Sequence, residues 1–114
     1  MRQYEIWWAR LPPPVGRRPV LLLSRDSAYG VLNKVIVAEV TSTIRDIPVE
    51  VRVGRREGLS SPSVANFDNI HVVARVDLAT RVGALSASRI PEVKRAFGYA
   101  LDWPELKYGD PPVL

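Results

Sequence analysis

Arg17-Arg18 and Thr41-Ser42 are two short polar pairs, each joined to an apolar segment, that could hold an anion together. Arg17 and Arg18 lead directly into an apolar segment, Pro19-Val20-Leu21-Leu22-Leu23. Thr41 and Ser42 directly follow a second one, Val35-Ile36-Val37-Ala38-Glu39-Val40. If the two segments pair as strands, a guanidinium and a hydroxyl meet at one sheet end. A guanidinium is permanently charged, offers several donors and grips phosphate bidentately. A threonine hydroxyl adds one hydrogen bond to a phosphoryl oxygen. An aspartate carboxylate can take up a proton. Arg17 and Arg45 flank the same two strand ends and are the cations best placed to assist.

Composition narrows the chemistry further. The 114 residues suit one compact domain, and 46% apolar content is that of a globular chain. A domain of this size buries roughly two-thirds of its unfolded surface, enough for a core without covalent staples. Cysteine is absent, so disulfides and thiol nucleophiles are excluded. The lone histidine, His71, rules out a multi-histidine metal site within one chain. No cofactor motif is present. No apolar run approaches the ~18 residues of a membrane span. Arg10 and three prolines break up the N-terminal region, so a cytoplasmic protein without a signal peptide is expected. Thirteen of the sixteen cations are arginine and the formal charge is +4, which leans toward an anionic partner.

The elements that must position these residues follow from periodicity. Tyr4–Arg10 reads as a strand with Ile6 and Trp8 on one face and Glu5, Trp7 and Ala9 on the other, so one tryptophan should enter the core. Pro12-Pro13-Pro14 ends it. Pro19–Ser24 is apolar throughout, as a central strand buried on both faces would be. Residues 25–33 read as a polar loop and Val35–Thr41 as the next strand. Val49–Val53 alternates strictly. Residues 54–62 form a loop. Ser63–Asn66 and Ile70–Val76 read as two short strands separated by Asp68 and Asn69, and Val82–Leu85 as a short edge strand. Ser88–Leu101 is the one clear helix, with Ile90, Val93, Phe97, Ala100 and Leu101 as its apolar stripe and Ser88 as its cap. Gly98 within it should cost about 1 kcal/mol relative to alanine. The expectation is a small antiparallel SH3-like barrel over residues 1–104, packed by a C-terminal helix, with 105–114 as an extended tail.

Several of these segments occur together in a known family. Ile6-Trp7-Trp8, Arg18-Pro19-Val20, Thr41-Ser42 and Ser63–Ile70, followed by Gly83-Ala84-Leu85 and the helix, resemble in order and spacing the PemK/MazF toxin endoribonucleases. The resemblance runs from about Tyr4 to Trp103. It implies a toxin of a toxin–antitoxin system that cuts single-stranded messenger RNA at short sequences without metal. It also implies a homodimer and a cognate antitoxin. By position, Arg18 matches the family's catalytic arginine, Thr41 its catalytic threonine and Asp68 an aspartate that serves as base in one branch. Asn69 matches an RNA-contacting position. Arg17, Ser42, Arg45 and Asn66 are the further candidate RNA contacts.

The chain also departs from the pattern. The loop from Pro12 to Arg17 is short and lacks a histidine that some members carry, and Asn66 stands where the Asp68-bearing branch has a second arginine. The proton-transfer roles therefore stay open. Thr41 also fits an ordinary strand position, and Asp68-Asn69 ordinary turn chemistry. A gyrase-poisoning toxin of the same fold, with Trp103 near the end of its helix, and a non-catalytic interaction module are the alternatives.

Overall fold

The computed structural model describes residues 1–109. Six antiparallel strands form one sheet: β1 Glu5–Arg10, β2 Arg17–Leu22, β3 Lys34–Thr41, β4 Glu50–Val53, β5 Ser63–Ala74 and β6 Leu78–Ala84. Their order is β4-β5-β3-β2-β1-β6. The sheet curls into a half-barrel, and among the described residues no β4–β6 ladder closes it. Three helices accompany it: α1 Ala28–Val31, α2 Ile90–Leu101 and α3 Pro104–Tyr108. The mainly β architecture with a C-terminal helix is as expected. None of the helices is long and apolar enough to cross a membrane.

Two apolar clusters explain why the central strands are apolar on both faces over most of their length. Ile6, Leu21, Ala38, Val40, Val51, Ala65 and Phe67 pack on one side against Val93 and Ala96 of α2. Phe67 meets Phe97 edge-on at 4.7 Å, a favoured aromatic geometry. Ala9, Val20, Leu22, Val35, Val37 and Val73 pack on the other side with Ala28 and Tyr29 of α1. Val20, Leu21 and Leu22 are thus fully buried, as their uninterrupted apolar run predicts.

The structure corrects several sequence expectations. Residues 63–74 form one strand, because Phe67-Asp68-Asn69 are absorbed in a bulge. The loop of residues 25–33 contains α1, whose Ala28 and Tyr29 are held by the second cluster despite weak local signals. The last strand is longer than expected and begins at Leu78. Helix α2 starts at Ile90 after a single 3₁₀ turn, and Ser88 makes no capping bond. Leu101 points outward, while Ala96 takes a core position. Neither tryptophan of β1 is fully buried: Trp7 is half-buried against the second cluster and donates its indole N–H to Glu5 Oε1 at 3.1 Å. Residues 104–108 are helical rather than extended. The rest of the expected tail, 110–114, lies outside the described residues.

Glycines fix two close approaches. A Cβ on Gly98 would lie 2.4 Å from the Lys107 backbone nitrogen, so the helix-interior glycine lets α3 fold back onto α2. A Cβ on Gly83 would lie 2.0 Å from the Glu57 carbonyl oxygen, and one on Gly58 would lie 2.3 Å from that of Val82. These two glycines dock the loop of residues 54–62 against β6. Gly83→Ala should therefore cost about 1–3 kcal/mol of stability by overpacking against backbone. Equilibrium denaturation measures this, and an unchanged unfolding midpoint would contradict it.

Arg89 pins the start of α2 to the sheet edge. It bonds both carboxylate oxygens of Glu92 at 2.7 and 2.9 Å and donates to the Arg52 carbonyl at 2.6 Å. The hydrogen bonds from Arg89 hold the Glu92 carboxyl below its ordinary range. A carboxylate whose folded-state value is depressed adds stability above its unfolded value, and that stability is lost as pH falls through the folded one. Glu92→Gln should flatten the loss of stability between about pH 5 and pH 3. Parallel acid-unfolding curves for the two proteins would refute this.

Candidate active site

The register of β2 on β3 builds the site. Val20 faces Glu39 and Leu22 faces Val37. Carried two residues toward the sheet end, the same register sets Arg18 across from Thr41. Alternation puts Arg18, Glu39 and Thr41 on one face. On the next strand, Thr41 pairs with Val64 and Glu39 with Asn66.

Two hollows meet at this sheet end, and Arg18 and Thr41 line both. The larger, about 420 Å³, is bounded by Trp8, Arg17, Pro19, Ser42 and the loop residues Leu59, Ser60 and Ser61, among others. The smaller, about 190 Å³, is bounded by Arg18, Glu39, Thr41, Thr43, Arg45, Asn66 and Asn69. The juxtaposition of a guanidinium and a hydroxyl expected from sequence is therefore present. Arg17, Ser42, Arg45, Asn66 and Asn69 gather around the same pair. Asp68 does not: it is exposed in the bulge and lines neither hollow.

Local bonds fix the walls. The Thr43 backbone N–H donates to Thr41 Oγ1 at 3.2 Å, which tightens the turn leaving β3 while the hydroxyl keeps its own proton to donate. The Asp68 backbone N–H donates to Asn66 Oδ1 at 2.9 Å, so Asn66 closes the bulge. Arg17 stacks on the Trp8 ring with its guanidinium carbon 4.4 Å from the centroid. Ion pairs among the described residues leave the guanidinium groups of Arg17 and Arg45 unengaged.

Glu39 is the residue that sequence reasoning passed over. Its side chain is 8% exposed, against 34% for Arg18. Arg18 donates to its Oε1 at 2.5 Å, and His71 Nε2 lies 3.0 Å from its Oε2. The bulge explains the histidine. Continued without it, the β3–β5 ladder would set residue 68 opposite Val37; the three extra residues bring His71 there instead. The missed signal was a single charge inside an otherwise apolar central strand, a position that demands a partner. No group of three or more potential metal-ligating residues occurs among the described residues.

The arrangement suits an anion: three arginines, hydroxyls and amides around one engaged carboxylate, open to solvent and flanked by the Trp8 ring. The sequence model of PemK-like, MazF-like toxins of type II toxin–antitoxin systems matches residues 2–101. The chain belongs to this family. It is 41% identical over 88 residues to endoribonuclease MazF3 of Mycobacterium tuberculosis, covering 75% of this chain and 85% of that protein. Its fold superposes on the solved Mycobacterium tuberculosis toxin MazF-mt6 with a TM-score of 0.81 at 38% identity, covering 86% and 96% of the two chains. It also matches a chain of a MazE–MazF structure from Deinococcus radiodurans with a TM-score of 0.72 at 27% identity, covering 90% and 96%.

Proposed function

We propose that this protein is an endoribonuclease toxin that cleaves single-stranded messenger RNA at the Arg18–Thr41 sheet end. The observation that carries the reading is that these two side chains, 23 positions apart, line the same two hollows. The 2′-hydroxyl attacks the adjacent phosphorus, the 5′-oxygen leaves, and a 2′,3′-cyclic phosphate remains. Negative charge accumulates on the non-bridging oxygens as the bond forms. Arg18 supplies fixed positive charge there, and Thr41 Oγ1 donates a hydrogen bond. The 2′-hydroxyl proton must pass to an acceptor and a proton must reach the leaving 5′-oxygen. A guanidinium serves poorly as acceptor because it stays charged.

The remaining residues fit substrate binding. Arg17, Ser42, Arg45, Asn66 and Asn69 rim the phosphate site, and the Arg17 guanidinium stacked on Trp8 offers its outer plane to an unpaired base. Single-stranded substrate follows, because stacking and in-line attack both need splayed nucleotides. The mild positive charge suits a cognate antitoxin whose acidic segment covers this end. We further propose a cytoplasmic homodimer, as the family resemblance implies.

Loss of one preorganised donor costs about 10²–10³ in rate. Arg18→Ala should therefore lower cleavage of a defined single-stranded RNA by at least that factor, with an unchanged circular dichroism spectrum. Near-wild-type cleavage by the folded variant would overturn the assignment, and product lacking a 2′,3′-cyclic end would overturn the chemistry. Asp68 has the least geometric support as base. Asp68→Asn should change the rate less than about fivefold; a loss of 10² or more would restore it to that role. An absence of RNA cleavage together with stabilised gyrase–DNA cleavage complexes would favour a gyrase poison.

A further inference from the structure

We propose that Glu39 is a positioning residue, one that anchors the Arg18 guanidinium before substrate arrives. The kinetic part of this inference rests on the RNA-cleaving reading. Glu39 sits in a central strand between Ala38 and Val40, both buried, yet carries a carboxylate. Its two oxygens are divided between two partners from the neighbouring strands, Arg18 from β2 at 2.5 Å and His71 from β5 at 3.0 Å. Asn66 stands opposite it, and Arg45 shares the hollow into which it faces. Stability alone does not account for this arrangement, since buried ion pairs are often no better than apolar residues of similar size.

Each oxygen of the Glu39 carboxylate has its own partner, Arg18 Nη1 on one and His71 Nε2 on the other. The carboxylate restricts Arg18. An arginine side chain is long and rotamer-rich, and this one is 34% exposed. Held through one terminal nitrogen, Nη1, it keeps further N–H groups for the hollow. Ordering it during folding removes that entropic cost from the reacting complex. The arrangement has a cost in turn, because a carboxylate beside a phosphate site repels phosphate in the ground state.

The two effects have opposite signs, which makes the proposal testable. Glu39→Gln keeps shape and an acceptor oxygen but loses the charge that holds Arg18. The full chain and this variant are compared on a single-stranded RNA with one cleavage site, and on the same oligonucleotide with a 2′-deoxy residue there to report affinity alone. The expected result is single-turnover cleavage slower by at least about tenfold, with affinity unchanged or tighter. Faster or equal cleavage would overturn the proposal, making Glu39 only an electrostatic burden. Weaker affinity together with a lowered unfolding midpoint would overturn it in favour of a merely structural role. A second readout needs no RNA. Restricted rotation of the Arg18 guanidinium should give separate Nη signals in ¹⁵N–¹H spectra of the native protein, and these should merge in Glu39→Gln. Identical Arg18 signals in both would refute the anchor, whereas native protein that shows the anchor but cuts no RNA would sink only the nuclease reading.

Discussion

Everything at this site depends on the register of β2 against β3. Strand pairing has a period of two, so a slip of β2 on β3 by one residue would put Arg18 on the opposite face from Glu39 and Thr41. Packing opposes that slip, because Leu21 would exchange clusters with Val20 and Leu22, and each cluster is filled by the side chains it now holds. The apolar core thus does more than hold the fold. It sets which face and which end of the sheet the guanidinium and the hydroxyl occupy.

The bulge in β5 is the second constraint. It allows a central strand to carry a carboxylate by bringing a histidine to it, and it leaves Asp68 and Asn69 exposed, with only Asn69 lining the site. An isolated buried carboxylate costs several kcal/mol, and removing one partner of a buried pair typically costs about 3–5 kcal/mol. Glu39 avoids the first penalty only through Arg18 and His71. The positive potential at the sheet end is correspondingly divided. Arg18 is partly neutralised and held still, while Arg17 and Arg45 keep their charge available. One cation held by a carboxylate near two that make no ion pair suits the proposed RNA site, which would attract a polyanion and orient one phosphate.

Much of this was legible in the residues. The uninterrupted apolar run of β2, the helix stripe with Pro91 in its first turn, and the strand ends at Arg18 and Thr41 follow from periodicity and composition. The failures share a cause. Whether Asp68-Asn69 breaks a strand or bulges within one is decided by the partner β3, which local propensity does not see. Helix α1 exists because Ala28 and Tyr29 find a core to enter. Gly98 looked like a weakness until α3 was seen to cross there. Glu39 was hidden for a related reason: its meaning lies in two residues 21 and 32 positions away.

Family membership, the half-barrel and the arginine–threonine pair all support the proposal that one end of the sheet binds phosphate. The most direct measurement is a backbone amide NMR titration with a single-stranded oligonucleotide made uncleavable by 2′-deoxy substitution. Shift changes concentrated at Arg17, Arg18, Thr41, Ser42, Arg45 and Asn69 are the predicted result. Changes confined to α2 and α3, with that sheet end silent, would contradict the account.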